Sequence, residues 1–147
     1  MRSRVRSAGL ADLVDVDSAG TGDWHIGEHA DRRAVNVLAA HGYDGSTHRA
    51  RQFDPAWFDE LDLVVALDGG HARTLRIWAA NDLQRAKVHL LRSFDPELAG
   101  ERHPAELDVR DPYYDGPEAF DEVLGQIEAA CDGLTAHLSA TLAAARG

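Results

Sequence analysis

A nearly continuous apolar run, Leu61–Leu67, limits the possible folds of this chain more than any other segment. Such a run, broken only by Asp62, is typical of a parallel strand that is covered on both faces. Val88–Leu91 has the pattern of a second strand, and a helix is predicted over about 71–80 between the two. Strands that alternate with helices predict an α/β fold, a doubly wound parallel sheet with helices on both faces.

Two glycines are predicted to end helices in the first third of the chain. Residues 1–9 have the pattern of the last turns of a helix that stops at Gly9, and a helix over 31–41 is predicted to stop at Gly42. Glycine is favoured there because it adopts positive φ without steric cost. Residues 14–17 alternate apolar and acidic side chains, which predicts a short half-buried strand.

The second part of the chain contains a short capped helix and a long terminal one. Asp54 followed by Pro55 is the usual pattern of an N-cap and a proline at the first helical position. Residues 92–116 read as loop because of their prolines and glycines. A helix is predicted from about Pro117, because six apolar residues share one helical face: Val123, Leu124, Ile127, Cys131, Leu134 and Leu138.

Length and charge restrict the possible function classes. A chain of 147 residues is enough for one domain with one core, so residues 1–147 are predicted to form a single domain. Its 25 acidic and 15 basic residues give a formal net charge of −10. This charge argues against nucleic acid and membrane partners, since both reward clustered positive charge. The local basic segments Arg32-Arg33 and His48–Arg51 are more simply read as exposed surface.

The cysteine content indicates the compartment. Cys131 is the only cysteine, so an internal disulfide is excluded and a reducing environment is compatible with the sequence. No run of about 18 apolar residues predicts a transmembrane helix. The first residues carry arginines but no apolar segment typical of a secretory signal. We therefore predict a cytoplasmic protein, and the sequence leaves its oligomeric state open.

Four segments occur in the order and at the spacing of one known enzyme family. They are Asp17–His25, His41–Tyr43 with His48–Gln52, Leu63–Asp68, and Ser93–Pro96 with Asp111–Tyr114. Together they resemble the low-molecular-weight protein tyrosine phosphatases, from about Leu10 to the C-terminus. The resemblance implies the fold of that family. It also implies hydrolysis of phosphotyrosine through a cysteinyl-phosphate intermediate.

The resemblance assigns roles to four residues. Asp111 matches the general acid, which protonates the leaving oxygen of a phosphate monoester. Trp24, Tyr113 and Tyr114 match aromatic residues that line the substrate cleft, where they suit a phenyl phosphate. Without the resemblance, Asp111-Pro112 would be read as the start of a turn. Each aromatic residue, taken singly, would be read as ordinary packing.

Three more residues match supporting positions of the family. Ser18 and His48 match residues that hydrogen-bond behind the phosphate-binding loop and hold its shape. Asp68 matches an acid at the end of the third family strand, although Gly69–His71 departs from the polar pair that usually follows. The resemblance implies a phosphotyrosine protein or a small aryl phosphate as the partner. It implies neither a cofactor nor a metal.

The family's nucleophile has no counterpart in this sequence. The family begins with a hydrophobic strand and a Cys-x5-Arg-Ser loop, whose cysteine attacks phosphorus and whose arginine and backbone N–H groups bind the phosphate. Residues 1–10 resemble only the end of the helix that follows. Cys131 lies on an apolar helical face and is predicted to be a packing residue. We therefore expect a domain that lacks its first strand, its phosphate loop and most of its first helix, and that is inactive in this form.

The missing strand also predicts low stability. It lies in the middle of the family's sheet, so its absence leaves neighbouring strands with unpaired backbone groups. Each such group costs about 1–3 kcal/mol when buried, against a total domain stability of about 5–15 kcal/mol. The chain alone is therefore expected to be unstable or partly molten.

Three interpretations of function are open at this point. The chain is an enzyme whose N-terminal segment is missing from this sequence, or a noncatalytic phosphatase-like domain that binds or regulates a partner. An arsenate-reducing relative on the same fold would need several redox cysteines, and Cys131 is alone. A metal enzyme is disfavoured as well. His25 and His29 flank Glu28 at a ligand-like spacing, but Gly27 and a loop setting argue against one helical face presenting both rings.

Overall fold

A computed structural model of the protein describes residues 1–20, 32–43, 51–98, 107–109 and 117–146. Its helices and strands follow the alternating order that the sequence predicts. They are α1 (Arg2–Ser7), α2 (Arg32–Ala40), β1 (Val64–Ala66), α3 (Gly69–Trp78), α4 (Asp82–Arg85), β2 (Val88–Leu90) and α5 (Pro117–Arg146). Short 3₁₀ segments cover Pro55–Asp59, Leu91–Phe94 and Pro96–Leu98. Within these residues no helix is long and apolar enough to cross a membrane.

The two strands pair in parallel and confirm the predicted α/β class. Val64 lies opposite Val88, and Ala66 lies opposite Leu90. The first strand is shorter than the apolar run that predicts it. Just after the strand, the Leu67 carbonyl accepts a 2.7 Å hydrogen bond from the Val109 N–H, which belongs to a loop and not to a strand.

Helices pack on both faces of the strand pair, as predicted. Val64 and Ala66 point into a cluster under α3 with Ala72 and Leu75. Leu63 and Val65 point the other way, into a cluster formed with Leu91, Val109, Ala130, Cys131 and Leu134 beneath α5. Side chains of a strand alternate between its faces, so neighbouring residues of β1 serve two different cores. Cys131 is 4% exposed, which confirms its predicted packing position.

The strand predicted over residues 14–17 is wrong. The Val14 N–H bonds to the Leu10 carbonyl in a turn, and residues 14–17 form no ladder with the described strands. Among residues 14–20, the parallel pairing that the structure describes is the isolated bridge of Gly20 with Gln52. Val14 and Val16 are half-buried while the two aspartates are exposed, so the alternation in sequence reports burial of one face without ladder hydrogen bonds.

The helix ends were better predicted than the strand. Gly9 and Gly42 both have positive φ, 73° and 86°, and each lies just past the end of a helix. Asp54 caps the segment Pro55–Asp59 by accepting a 2.9 Å hydrogen bond from the Ala56 N–H. These local rules succeed because each depends on residues that are adjacent in sequence.

A polar cluster joins α1 to α5. The Arg4 guanidinium contacts the Asp132 carboxylate at 2.7 Å and Glu128 at 3.2 Å. Arg4 also donates to the Tyr43 hydroxyl, which in turn donates to Glu128 at 2.7 Å. Burial alone would lower the pKa of Arg4, but its bonds to Asp132 and Tyr43 outweigh burial and raise it. The hydrogen bond to Glu128 raises the pKa of Tyr43.

Candidate functional site

The candidate site lies where β1 ends, because open parallel sheets bind ligands outside the carboxyl ends of their strands. Asp68 comes two residues after the strand and caps α3. Its carboxylate accepts a 2.8 Å hydrogen bond from the His71 N–H, and its second oxygen lies 3.5 Å from the His71 ring. The described contacts make Asp68 the N-cap of α3, and its predicted support of the phosphate loop stays a prediction.

A second carboxylate meets the same helix end. Asp108 Oδ1 accepts a 2.8 Å hydrogen bond from the Gly69 N–H. The Asp108 carbonyl accepts from Arg92 at 3.1 Å, and the next residue, Val109, bonds to Leu67. Residues 107–109 are therefore fixed to the carboxyl end of β1 and the start of α3. The sequence motifs did not identify Asp108, because its partner lies 39 residues away and no local pattern marks the contact.

Ser18 is exposed, and its described contacts involve the backbone. Its N–H donates to Asp17 at 2.9 Å, and its carbonyl accepts from the Arg51 guanidinium at 3.4 Å. The predicted role of its hydroxyl behind a phosphate loop therefore stays a prediction.

Arg51 contacts both Asp17 and Trp57, and Arg2 of α1 approaches the same Asp17 carboxylate. Its guanidinium pairs with the Asp17 carboxylate at 2.6 Å, and Arg2 of α1 approaches the same carboxylate at 3.6 Å. The Ser18 N–H, Arg51 and Arg2 together lower the pKa of Asp17, although burial opposes them. Arg51 also lies over the Trp57 ring, 5.0 Å from its centroid.

We expect the fold to lose stability in acid partly through Asp17. Its pKa is lower in the folded chain than in the unfolded one, so its stabilising effect is full above the unfolded value of about 4. The effect disappears as the pH falls through the folded pKa. Thermal melts from pH 7 to pH 3 should show a smaller loss of Tm in Asp17→Asn than in the unmodified protein.

The size of this effect is modest, since the Asp17 side chain is exposed and screened by solvent. Asp62→Asn is a matched control, because Asp62 is exposed and forms no ion pair within the described residues. Identical pH dependence of both variants would show that Asp17 does not carry the acid sensitivity.

Five predicted site residues lie outside the described residues: Trp24, His48, Asp111, Tyr113 and Tyr114. The same holds for His25, Glu28 and His29. Among the residues that the structure does describe, no group of three or more histidine, cysteine or acidic side chains could hold a metal ion. The described part of the candidate site is therefore the carboxyl edge of the sheet, which is formed by Asp68, Asp108 and Val109.

Cys131 does not belong to this part of the candidate site. It lies in the interior of α5 among the apolar side chains of the second core cluster. The residue six positions further on is His137, so the sequence around the only cysteine does not have the Cys-x5-Arg form. A buried thiol of this kind packs as a small hydrophobic group.

A parallel α/β sheet with a carboxylate-bearing segment fixed at its carboxyl edge defines the class of domain, and sheets of this class generally bind ligands at that edge. Residues 1–144 match the family described as "Low molecular weight phosphotyrosine protein phosphatase". The chain therefore belongs to the low molecular weight phosphotyrosine protein phosphatase family, as the sequence motifs predict.

Individual relatives agree with this assignment. The low molecular weight protein-tyrosine-phosphatase of Streptomyces coelicolor is 57% identical over 135 residues, covering 92% of this chain and 79% of that protein. The low molecular weight protein-tyrosine phosphatase A of Mycobacterium tuberculosis is 47% identical over 131 residues, covering 89% and 75%.

Solved structures share the fold. A crystal structure of a protein tyrosine phosphatase from Entamoeba histolytica superposes with a TM-score of 0.84 at 25% identity, covering 95% of this chain and 85% of that one. The structure of YfkJ from Bacillus subtilis gives a TM-score of 0.81 at 27% identity, with coverage of 95% and 82%.

Proposed function

We propose that this chain is part of a protein tyrosine phosphatase that hydrolyses phosphotyrosine monoesters, with Asp111 as the general acid. The substrate is a phosphotyrosine protein or a small aryl phosphate, and the protein works in the cytoplasm without a metal or other cofactor. The observation that carries the proposal is the family match over residues 1–144. The relatives named as protein-tyrosine-phosphatases support it.

The fixed segment before Asp111 supports its role. Val109 is bonded to the carbonyl of Leu67 at the carboxyl end of β1, and two residues of chain span at most about 7 Å. Asp111 follows Val109 by two positions in the sequence, and this closeness supports the proposal that it acts at the edge where parallel sheets bind ligands. Asp108, bonded to Gly69 at 2.8 Å, fixes the same segment from the other side.

The proposed reaction has two steps. A cysteine thiolate attacks phosphorus, an S–P bond forms, the P–O bond to the tyrosine breaks, and Asp111 gives its proton to the leaving phenolic oxygen. In the second step, water gives a proton to the Asp111 carboxylate and attacks phosphorus, the S–P bond breaks, and inorganic phosphate and the thiolate are released. Trp24, Tyr113 and Tyr114 line the ring-binding cleft, while Ser18 and His48 support the phosphate loop.

We propose further that the 147-residue chain does not perform this reaction by itself. Its only thiol, Cys131, is buried on the inner face of α5, and the Cys-x5-Arg sequence does not occur in the chain. The nucleophile and the phosphate-binding arginine then have to come from outside this sequence.

Hydrolysis of p-nitrophenyl phosphate by two purified proteins tests this proposal. One is the 147-residue chain, and the other is extended upstream in the same reading frame. We expect turnover and a cooperative thermal melt in the extended protein alone. Turnover by the short chain, abolished by Cys131→Ser, would overturn the packing role of Cys131.

A noncatalytic binding or regulatory domain is the second candidate, and the burial of the only cysteine favours it. This alternative predicts that the short chain melts cooperatively while neither protein turns over the substrate. A phosphotyrosine peptide that binds without being hydrolysed would then identify the function of the cleft.

A further inference from the structure

An open pocket of about 470 Å³ lies at the far end of α3 from the candidate site. It is lined by Gln52, Phe53, Asp54, Pro55, Trp57 and Trp78. Trp78 is the last residue of α3, whereas the contacts of Asp68 and Asp108 are at its first turn. Nine residues of helix separate the two ends by about 14 Å. The Trp78 wall of the pocket therefore lies about one helix length from the contacts of Asp68 and Asp108.

Two half-buried indoles form the apolar part of this pocket. Trp57 and Trp78 both pack against the first core cluster. Phe53 is 8% exposed and meets the Trp57 ring edge-on, with centroids 5.5 Å apart and planes at 77°. The tryptophan rings are thus held in place by the core and do not have to be ordered when a ligand binds.

The Trp57 ring already interacts with a cation in this structure. The Arg51 guanidinium lies 5.0 Å from its centroid and is held there by its ion pair with Asp17. A guanidinium is attracted to the negative face of an indole and stacks on it because both are planar. The contact between Arg51 and Trp57 is of the same kind as the contact that a second cation would make in the pocket.

Charge around the pocket favours a cationic ligand as well. Asp54 lines it, and the exposed residues Asp59, Glu60 and Asp62 follow in a stretch, 52–63, that contains no lysine or arginine. Asp54 forms no ion pair within the described part of the chain. The neighbouring cations have other partners, since Lys87 donates to the Phe58 carbonyl at 2.6 Å and Arg76 donates to the Val88 carbonyl at 3.3 Å.

We propose that this pocket binds an arginine side chain presented by a protein partner. The guanidinium stacks against the indoles of Trp57 and Trp78 and pairs with the Asp54 carboxylate, which still caps the segment Pro55–Asp59 through its other oxygen. Arginine fits better than lysine because its planar group combines stacking with directed hydrogen bonds to a carboxylate. An anionic ligand is disfavoured by the four acidic residues nearby.

The test is a titration with the peptide acetyl-Gly-Arg-Gly-amide, followed through the indole N–H signals in ¹⁵N-NMR spectra. It uses whichever of the two proteins described above melts cooperatively. The matched control peptide carries citrulline, which has the shape of arginine without its charge. We expect saturable shifts of the Trp57 and Trp78 signals with a Kd on the order of 1 mM, and at least about fivefold weaker binding of the citrulline peptide.

Variants locate the binding site. Asp54→Asn keeps an oxygen for the helix cap but removes the charge, and Trp78→Leu removes one indole; each should raise Kd at least about fivefold. Glu60→Gln makes the same charge change on the same exposed stretch outside the pocket and should leave Kd within about twofold. Phosphatase activity plays no part in these readouts, so the outcome is independent of the proposed function.

The proposal would be overturned by equal binding of the citrulline peptide, by shifts confined to Trp24, or by equal effects of Asp54→Asn and Glu60→Gln. The last result would assign the attraction to general acidity and not to the pocket. Absence of any shift at 20 mM peptide would exclude an arginine site of useful affinity.

Discussion

A single methyl group added at Gly133 is expected to lower the free energy of unfolding by about 3 kcal/mol. Gly133 lies in the interior of α5, where it faces the 3₁₀ segment Leu91–Phe94. A β-carbon there would overlap the Phe94 carbonyl oxygen, with the carbonyl carbon only 2.8 Å away and Pro96 Cδ at 3.2 Å. A backbone carbonyl cannot rotate away as a side chain can, so the helix or the segment has to move.

Gly125→Ala is the matched control, because it makes the same change in the same helix. A β-carbon at Gly125 would meet no other atom within 4 Å. Alanine is a better helix former than glycine, so this variant should gain about 0.5–1 kcal/mol. Urea unfolding followed by circular dichroism measures both variants. Stabilisation of both by similar amounts would show that α5 does not approach Phe94 as closely as described.

The amphipathic face of α5 could be predicted from the sequence, but the role of Gly133 could not. The apolar residues from Val123 to Leu138 repeat at helical spacing, and that pattern is visible locally. Gly133 is the poorest helix former after proline, yet it lies inside the helix. A glycine is needed there because the Phe94 carbonyl, 39 residues earlier in the chain, leaves no room for a β-carbon. This contact is known only once the helix is placed against residues 91–96.

The same distinction explains the strands. The apolar run Leu61–Leu67 predicted β1, because a strand that is buried on both faces consists almost entirely of apolar residues. Residues 14–17 alternate apolar and acidic side chains as a half-buried strand would, but they form no ladder with a described strand. Pairing needs a partner strand, and alternation does not specify one. At the site, Asp68 could be identified because it matches an acid at the end of the third family strand. Asp108 could not, since its contact to Gly69 is tertiary.

In the extended protein, Asp111→Asn is expected to lower kcat by about 10²–10⁴-fold, the usual contribution of a general acid. KM should change little, because the acid acts on the leaving oxygen in the transition state and not on the bound phosphate. Steady-state kinetics with two substrates tests whether the lost function is protonation of the leaving group. Phenyl phosphate needs protonation of its leaving group more than p-nitrophenyl phosphate does, so the variant should lose more activity with phenyl phosphate.

Asp108→Asn separates the proposed general acid from a residue that fixes the segment before it. An asparagine oxygen still accepts the hydrogen bond from Gly69 that aspartate accepts at 2.8 Å, so the segment before Asp111 stays in place. We expect a much smaller loss of kcat in this variant, and an equal loss with both substrates, since no proton donor is removed. An equal loss with both substrates in Asp111→Asn would instead give Asp111 a positioning role. The general acid would then have to be sought on another residue at the carboxyl edge of β1.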